Sequence, residues 1–227
     1  MFEIPTVYTC STNGRDALRE DQCAESAKFV AFVECPTADS KIWEQIRASR
    51  IFRSPRRNAR LHKILSHQFI TSEISIWMDS NVSLKVPAPR LIDEYLRKAD
   101  IAVFLHRTRS CTYQEAARCI ELELDNVSVI SDQMARYRQQ GFPEGQGLAE
   151  ATVVIRRHTA QVCSFNNAWW SEVCRHSVRD QLSFMHAAKS AGVSVEFIQP
   201  TKYMNPFFSI TNRPAGSELR THADFNN

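Results

Sequence analysis

Residues 75–81 end an apolar run with two side chains that can bind a hard cation. They read Ser-Ile-Trp-Met-Asp-Ser-Asn, so Asp79 and Asn81 follow a predicted buried strand at a spacing of two residues. A carboxylate and an amide oxygen at this spacing suit Mg²⁺ or Mn²⁺, which also bind phosphate oxygens and water. The alternative is an Asp-Ser-Asn turn that closes a hairpin and binds no ligand. The motif predicts a metal site and leaves this turn open.

Four basic side chains are spaced so that they share one face of a predicted helix. Ser54 is the expected N-cap of this helix and Pro55 its first residue. The four basic residues follow at i, i+4, i+7 and i+11: Arg56, Arg60, Lys63 and His67. Arginine in the first turn opposes the helix dipole, and a bound anion such as a diphosphate would offset this cost. The alternative is a solvated polar helix face.

A third candidate segment places an acid and an amide at a predicted helix start. Asp180 and Gln181 precede an apolar run, so Asp180 could be only a helix cap. Its functional interpretation is a general base or a group that orients an acceptor hydroxyl. Gln181 would then present its amide to a developing positive centre.

A fourth candidate lies at the end of the β-branched run 152–155, which follows Glu150. Arg156, Arg157 and His158 end this predicted strand. His158 is a candidate metal or phosphate ligand. A basic cluster at a strand end, with no ligand, is the alternative.

The elements that would position these residues alternate between strand and helix. Strands are predicted at 4–10, 28–34, 73–79, 101–105, 152–155 and 193–198. Helices are predicted at 55–69, 91–96, 113–120, 169–177 and 180–191, with a further candidate at 16–26. This alternation predicts an α/β fold with a mainly parallel sheet, which binds ligands at the carboxyl ends of its strands. The tail after Tyr203 is expected to be irregular.

Composition excludes several classes of protein. The chain has 227 residues, 43% of them hydrophobic and 23% charged, as in globular proteins. A net charge of +3 falls short of the balance typical of nucleic-acid-binding proteins. The seven cysteines form no C-x-x-C pair, which argues against a disulfide framework or a zinc knuckle. With no signal peptide and no apolar stretch of membrane-spanning length, a cytoplasmic protein is expected.

The order of these segments resembles a known family. The resemblance extends from the amino terminus to about Ile198 and is carried by residues 7–10 (VYTC), 55–67 (PRRNARLHKILSH), 75–81 (SIWMDSN), 104–107 (FLHR), 111–116 (CTYQEA), 155–158 (IRRH) and 179–184 (RDQLSF). The family, formerly a domain of unknown function, is glycosyltransferase-like and occurs in bacterial polysaccharide loci and in plant mucilage-related proteins. It implies a single GT-A-type, Rossmann-like domain over residues 1–200, followed by an irregular segment over residues 201–227.

The resemblance also implies roles for particular residues. Asp79-x-Asn81 stands where GT-A enzymes carry an Asp-x-Asp metal motif, so Mn²⁺ or Mg²⁺ is the expected cofactor. The expected metal ligands are Asp79, Asn81 and His158. The expected donor-binding residues are Tyr8, Thr9, Thr12, Arg56, Arg60, Lys63, Trp77, Asp79 and Arg156. Asp180-Gln181 is similar to the Asp-Gln pair of retaining enzymes, and Glu150 joins these two as a candidate catalytic residue.

The expected function is metal-dependent transfer of a hexose from a nucleotide-diphosphate sugar, with a UDP-sugar favoured. The expected acceptor is a surface polysaccharide, a lipopolysaccharide, a lipid-linked glycan or another glycan. Retention of configuration is favoured, and inversion with Asp180 or Glu150 as the base stays open. A catalytically silent module that binds a sugar nucleotide or a glycan is the alternative function. No nucleic-acid partner is expected, whereas peripheral association with the inner face of the membrane is possible. Phe207, Phe208 and His222 are candidates for the acceptor side.

Overall fold

The computed structural model describes residues 4–12 and 17–211, and within them a seven-stranded sheet forms the centre of the protein. The strand order is β3-β2-β1-β4-β7-β6-β8, and a separate two-stranded sheet joins β5 to β9. The nine strands are β1 (Thr6–Ser11), β2 (Lys28–Val33), β3 (Glu44–Arg47), β4 (Ile74–Met78), β5 (Val82–Leu84), β6 (Ile101–Leu105), β7 (Ala149–Arg157), β8 (Val195–Ile198) and β9 (Phe208–Ile210).

Strand directions confirm the predicted mainly parallel sheet. Strand β7 runs antiparallel to both of its neighbours, β4 and β6, and the other adjacent pairs of the main sheet are parallel. Parallel sheets are normally covered on both faces, so their central strands are apolar throughout rather than alternating. Strands β1, β4 and β6 are buried almost throughout, as this rule requires, although β1 also buries Thr6, Thr9 and Ser11.

Helices cover the two faces of the main sheet. They are α1 (Pro55–Ile64), α2 (Ala88–Tyr95), α3 (Thr112–Glu121), α4 (Val127–Gln139), α5 (Ala160–Arg175) and α6 (Gln181–Ala191). One face, which includes Val7 and Ile76, packs with α2 and the β5/β9 sheet. The other face, which includes Tyr8 and Trp77, packs with α1, α5 and α6. Helices α3 and α4 form a third cluster with α6. Among the described residues, no helix is long and apolar enough to cross a membrane.

Helix α1 begins where its sequence predicts. The Ser54 hydroxyl accepts a hydrogen bond from the Arg57 amide at 3.3 Å, and Pro55 is the first helical residue. Proline fits this position because its missing N–H would have no partner inside the helix. The Thr12 hydroxyl donates to the Pro55 carbonyl at 2.6 Å, which places the end of β1 beside the start of α1.

Several predicted elements differ from the structure. The candidate helix at 16–26 is wrong for residues 17–26, and Asp16 lies outside the described part. This segment instead follows β5: the Cys23 amide donates to Leu84 at 2.8 Å, and the Gln22 side chain bonds Val82 and Leu84. The tail after Tyr203 is not wholly irregular, because β9 pairs with β5. His222 lies outside the described residues. The boundary at residue 200 stays a prediction.

Candidate functional site

The carboxyl ends of the parallel strands bring the candidate acids to one edge of the sheet. Asp79 follows β4, and its amide donates to the Thr152 carbonyl at 2.9 Å. Because β7 is antiparallel, its beginning, with Glu150, lies at this same edge. His106 follows β6 and donates its amide to Leu148 at 2.9 Å. Ligands of open α/β sheets bind at this edge, so it is the candidate site.

Asp180 is held by two of the four basic residues predicted on one helix face. The predicted helix is shorter than expected, because α1 ends at Ile64 and His67 lies in a separate 3-10 turn, Ser66–Gln68. One carboxylate oxygen of Asp180 lies 3.0 Å from Arg60 Nε and the other lies 2.8 Å from Lys63 Nζ. Asp180 stands at the N-cap of α6, but its side chain makes no capping hydrogen bond. The capping interpretation is therefore wrong for this side chain. The basic face of α1 contacts a carboxylate that is 117 positions away from Lys63 in the chain.

Ion pairing keeps Asp180 charged despite its burial. Burial alone raises the pKa of this carboxyl, but Arg60 and Lys63 more than offset that effect and hold the pKa well below its usual range. The site therefore contains a buried carboxylate whose charge is fixed at neutral pH.

Trp77 connects Asp79 to this ion-paired group. Its indole Nε1 donates to Asp79 Oδ1 at 3.0 Å, and the Lys63 ammonium lies 5.7 Å from the centre of its ring. The side chain is buried and packs edge-on against Tyr8. Trp77 therefore orients Asp79, and direct donor binding by this indole, as predicted, does not fit its burial.

Glu150 has a partner that sequence reasoning missed. The Lys202 ammonium lies 2.7 Å from Glu150 Oε1 and donates to the Thr152 hydroxyl at 3.4 Å. Burial lowers the pKa of Lys202, but the bond to Glu150 outweighs this and the net shift is upward. Lys202 lies in a segment without helical or strand periodicity, so no signal in the sequence connects it to this edge.

A second missed cluster lies beside β6. Arg109 bonds the ring of His106 at 2.9 Å and pairs with the buried carboxylate of Glu115 at 2.5 Å. Burial lowers the pKa of His106, and Arg109 lowers it further. His106 is therefore neutral near pH 7, and its Nδ1 accepts hydrogen bonds from the backbone amides of Thr108 and Arg109 at 3.2 Å and 3.1 Å.

Gln181 is the first residue of α6, and its side chain reaches the start of β7. Its side-chain amide nitrogen donates to the Ala149 carbonyl at 3.1 Å, next to Glu150. One of its two N–H groups is therefore used, and Gln181 can offer its second N–H and its amide oxygen to a ligand.

Tyr8 and Arg156 are structural residues, which corrects their predicted role in donor binding. Both side chains are completely buried. Arg156 donates to the Lys63 carbonyl at 2.6 Å, to the Ile64 carbonyl at 3.1 Å, to Asn166 at 2.9 Å and to the Tyr8 hydroxyl. A guanidinium with several donors satisfies the carbonyl groups at the end of α1 that have no partner inside the helix. Arg156 thus holds the helix that carries Arg60 and Lys63.

Arg156→Met is expected to lower the free energy of unfolding by about 2–4 kcal/mol, because two carbonyls and Asn166 lose their buried partner. Arg157→Met is the matched control, since Arg157 pairs with Glu73 at 3.1 Å on the surface. The control should cost less than about 1 kcal/mol. Urea unfolding of both variants measures the difference, and equal losses would contradict the structural role of Arg156.

A cavity with a partly polar lining lies beside the ends of β1 and β2. Its volume is about 480 Å³, and its lining includes Ser11, Glu34, Thr37, Asp39 and Gln45. Carboxylate and amide groups of this kind accept and donate hydrogen bonds to ribose hydroxyls and base edges. Thr9 is buried in β1, whereas Thr12 and the half-buried Arg56 stand where β1 meets α1.

His158 lies at the opposite edge of the sheet, which corrects its prediction as a metal ligand with Asp79. Strand β7 pairs Val153 with Met78 and ends at Arg157, so His158 lies five residues beyond Val153. At about 3.3 Å per residue, this separates it from Asp79 by roughly 15 Å or more. Its ring bonds the hydroxyls of Ser66 and Ser75.

His158 is expected to make stability depend on pH. Burial lowers its pKa to about 4, below the value of about 6.5 for an unfolded chain. The unfolded chain therefore takes up this proton first as the pH falls. Stability from the neutral ring is fully present above pH 6.5 and is lost between about pH 6.5 and 4. The difference in unfolding free energy between wild type and His158→Gln should shrink over this range, and a constant difference would contradict the assignment.

The remaining predicted metal ligands do not form a preformed site. The Asn81 side-chain amide donates to the Thr211 carbonyl at 2.9 Å, towards β9. Among residues 4–12 and 17–211, no three His, Cys, Asp or Glu side chains converge in a way that could hold a metal ion. Asp79 also lies in the electrostatic field of two ammonium groups, Lys63 and Lys202. Of the predicted ligands, Asp79 and the side-chain oxygen of Asn81 follow β4 at this edge and His158 does not, and no third ligand of these types joins them among the described residues.

Comparison with known proteins identifies the family. Residues 29–207 match the family described as TOD1/MUCI70, glycosyltransferase-like domain. The chain belongs to this family. Within it, the chain is 30% identical over 141 residues to "Probable hexosyltransferase MUCI70" of Arabidopsis thaliana, covering 57% of this chain and 24% of that protein. It is 26% identical over 180 residues to "Alkaline ceramidase TOD1" of the same plant, covering 73% of this chain and 37% of that protein. This TOD1/MUCI70 chain thus spans well under half the length of either relative.

Solved structures of glycosyltransferases are similar in outline to this TOD1/MUCI70 domain. The apo bifunctional glycosyltransferase WbbM has a TM-score of 0.49 at 8% identity, over 86% of this chain and 38% of that chain. The galactosyltransferase LgtC, in complex with donor and acceptor sugar analogs, has a TM-score of 0.42 at 9% identity, over 80% of this chain and 70% of that chain. The α/β assignment itself rests on the sheet order and strand directions given above.

Proposed function

We propose that this TOD1/MUCI70 domain transfers a hexosyl group from a nucleotide-diphosphate sugar to a glycan acceptor. The observation that carries the proposal is the buried Asp180 carboxylate, which Arg60 and Lys63 hold at the carboxyl edge of the sheet. A UDP-sugar is the favoured donor. The favoured acceptors are a surface polysaccharide, a lipopolysaccharide or a lipid-linked glycan.

The charged side chains at this edge suit both the diphosphate that leaves and the sugar that is transferred. Arg60 is partly exposed and can reach phosphate oxygens, for which guanidinium groups have matched geometry. The carboxylate of Asp180 stabilises positive charge, which develops on the sugar ring as the bond to the diphosphate breaks. The cation for the leaving group and the anion for the sugar therefore lie next to each other.

Retention of configuration is the proposed stereochemical outcome. Asp180 and the amide oxygen of Gln181 would lie near the anomeric carbon while the acceptor hydroxyl attacks. The rival is inversion with Glu150 as the base, but the Glu150 carboxylate is already ion-paired with Lys202. NMR of the newly formed linkage distinguishes the two outcomes.

The predicted cofactor, Mn²⁺ or Mg²⁺, stays a prediction, and no step above depends on it. Asp79 is the described carboxylate that could hold such an ion together with phosphate oxygens. Cytoplasmic location and peripheral association with the membrane also stay predictions. A lipid-linked acceptor would place the domain at a membrane surface.

The same experiments distinguish the proposed function from two other functions. A silent module would bind the nucleotide sugar without turning it over. Amide hydrolysis, suggested by the name of the ceramidase relative, would need a site for an uncharged lipid. The ion-paired groups at this edge favour a phosphorylated donor over ceramide.

Calorimetric titration with nucleotides and nucleotide sugars tests the proposal. Wild-type protein should bind one nucleoside diphosphate and its sugar, and Arg60→Ala should weaken this binding tenfold or more. Arg157→Ala, at the opposite edge, is the matched control and should bind within twofold of wild type. If no nucleotide bound to the wild type, with or without Mn²⁺, the proposed function would be wrong.

A further inference from the structure

The segment before β9 is irregular, yet several side chains fix its position. Asn205 is buried, and its amide nitrogen lies 3.3 Å from the Tyr95 hydroxyl and 3.4 Å from the Gln199 carbonyl. Its amide oxygen accepts from the Phe207 amide at 2.9 Å. The Met204 amide donates to Thr201 at 2.8 Å. Lys202 is therefore held over the edge of the main sheet by groups on both sides of it.

The Lys202 ammonium is ion-paired with Glu150 and also lies in the electrostatic field of Asp79. It is 2.7 Å from Glu150 and 3.4 Å from the Thr152 hydroxyl, and the Thr152 carbonyl accepts the amide of Asp79. The side chains of Lys202 and Glu150 are 15% and 17% exposed, so this ion pair is mostly shielded from water. An ammonium has three donors, and these two contacts leave one N–H for a ligand.

We propose that Lys202 binds the diphosphate of the donor and supplies there the positive charge that a divalent ion was predicted to supply. This inference rests on the proposed function. Glu150 acts as the anchor that holds the ammonium in place. Phosphate oxygens that enter this edge can accept the free N–H of Lys202, and Arg60 is the second cation proposed for them.

The surroundings of Asp79 favour Lys202 over a metal ion. Lys63 and Lys202 both act on Asp79 electrostatically, so a dication beside this carboxylate would meet two positive charges. Asn81, the second predicted ligand, directs its amide nitrogen to Thr211. A lysine that needs no metal fits this edge better than an ion held by one carboxylate and one amide oxygen.

The test compares nucleoside diphosphates with the matching monophosphates in the presence of a chelator. Calorimetric titrations of the full chain use UDP and UMP, GDP and GMP, ADP and AMP, and CDP and CMP. Wild-type protein should bind one diphosphate without metal. Lys202→Ala should weaken that diphosphate tenfold or more and its monophosphate less than threefold. Lys202→Arg should stay within about fivefold of wild type, because it keeps the charge.

Controls make each result decisive. Lys98→Ala removes an exposed lysine that precedes β6 at the opposite edge, and it should leave binding unchanged. Thermal unfolding reports whether Lys202→Ala is folded, and Lys202→Arg gives a second folded variant. Diphosphate binding that needs Mn²⁺, or that is unchanged in Lys202→Ala, overturns the role of Lys202 and leaves the proposed function standing. No binding of any nucleotide to wild type, in chelator or in Mn²⁺, overturns both.

Discussion

Asp180→Asn is expected to lower the rate of donor turnover by a factor of roughly 10²–10³, the effect of removing one electrostatic contact to a transition state. The change keeps the shape of the side chain and removes its negative charge. Positive charge that develops on the sugar ring then loses its buried counter-charge. Release of nucleoside diphosphate from the nucleotide sugar, with and without acceptor, measures the rate.

The control for this variant is Asp93→Asn, an exposed acid on α2. It should leave turnover within twofold of wild type. Donor binding by Asp180→Asn should be weakened less than turnover, because the negative charge serves the transition state more than the ground state. A variant that turned over donor at the wild-type rate would contradict the role of Asp180.

Lys63→Met is expected to lower the free energy of unfolding by about 3 kcal/mol. This is the lower end of the range of costs for a buried ion pair that loses one partner. Lys63 is 3% exposed at its side chain, and its loss leaves Asp180 with Arg60 alone. For a chain of this length the melting temperature should fall by roughly 6–12 °C. Differential scanning calorimetry measures this shift.

A second substitution separates ion pairing from general damage to the core. The double variant Lys63→Met/Asp180→Leu replaces the buried lysine and carboxylate by apolar groups, leaves the partly exposed Arg60 without its carboxylate, and should recover part of the lost stability. It should recover none of the donor turnover. Lys28→Met, which breaks an exposed pair with Glu44, should cost at most about 1 kcal/mol. If the double variant were less stable than Lys63→Met, the buried ion pair would not explain the loss.

Local signals predicted the elements that position the site. The run 101–105 is continuously apolar, and β6 has the same bounds. Ser54-Pro55 is a start signal contained within two residues, and α1 begins there. Such signals depend on near neighbours in the chain, so they can be recognised without knowing the fold.

The partners of the site residues depend on contacts that no local pattern encodes. The reversed direction of β7 places Glu150 at the site and moves His158 and Arg156 to the other end of the strand. Asp180 and Lys63 meet only because α6 packs beside α1, and Lys202 reaches Glu150 only because β9 pairs with β5. The chemistry of Asp79, Glu150 and Asp180 could be predicted from residue type, but their partners could not.

The measurement that tests the account most directly is the release of nucleoside diphosphate from a panel of nucleotide sugars by wild-type protein and by Asp180→Asn. The account predicts that wild type hydrolyses or transfers one donor, with UDP-hexoses the first to examine, and that Asp180→Asn loses this activity by 10²-fold or more. Tight binding of a nucleotide sugar without any turnover, equal in both proteins, would contradict catalysis at Asp180 and leave a silent binding module.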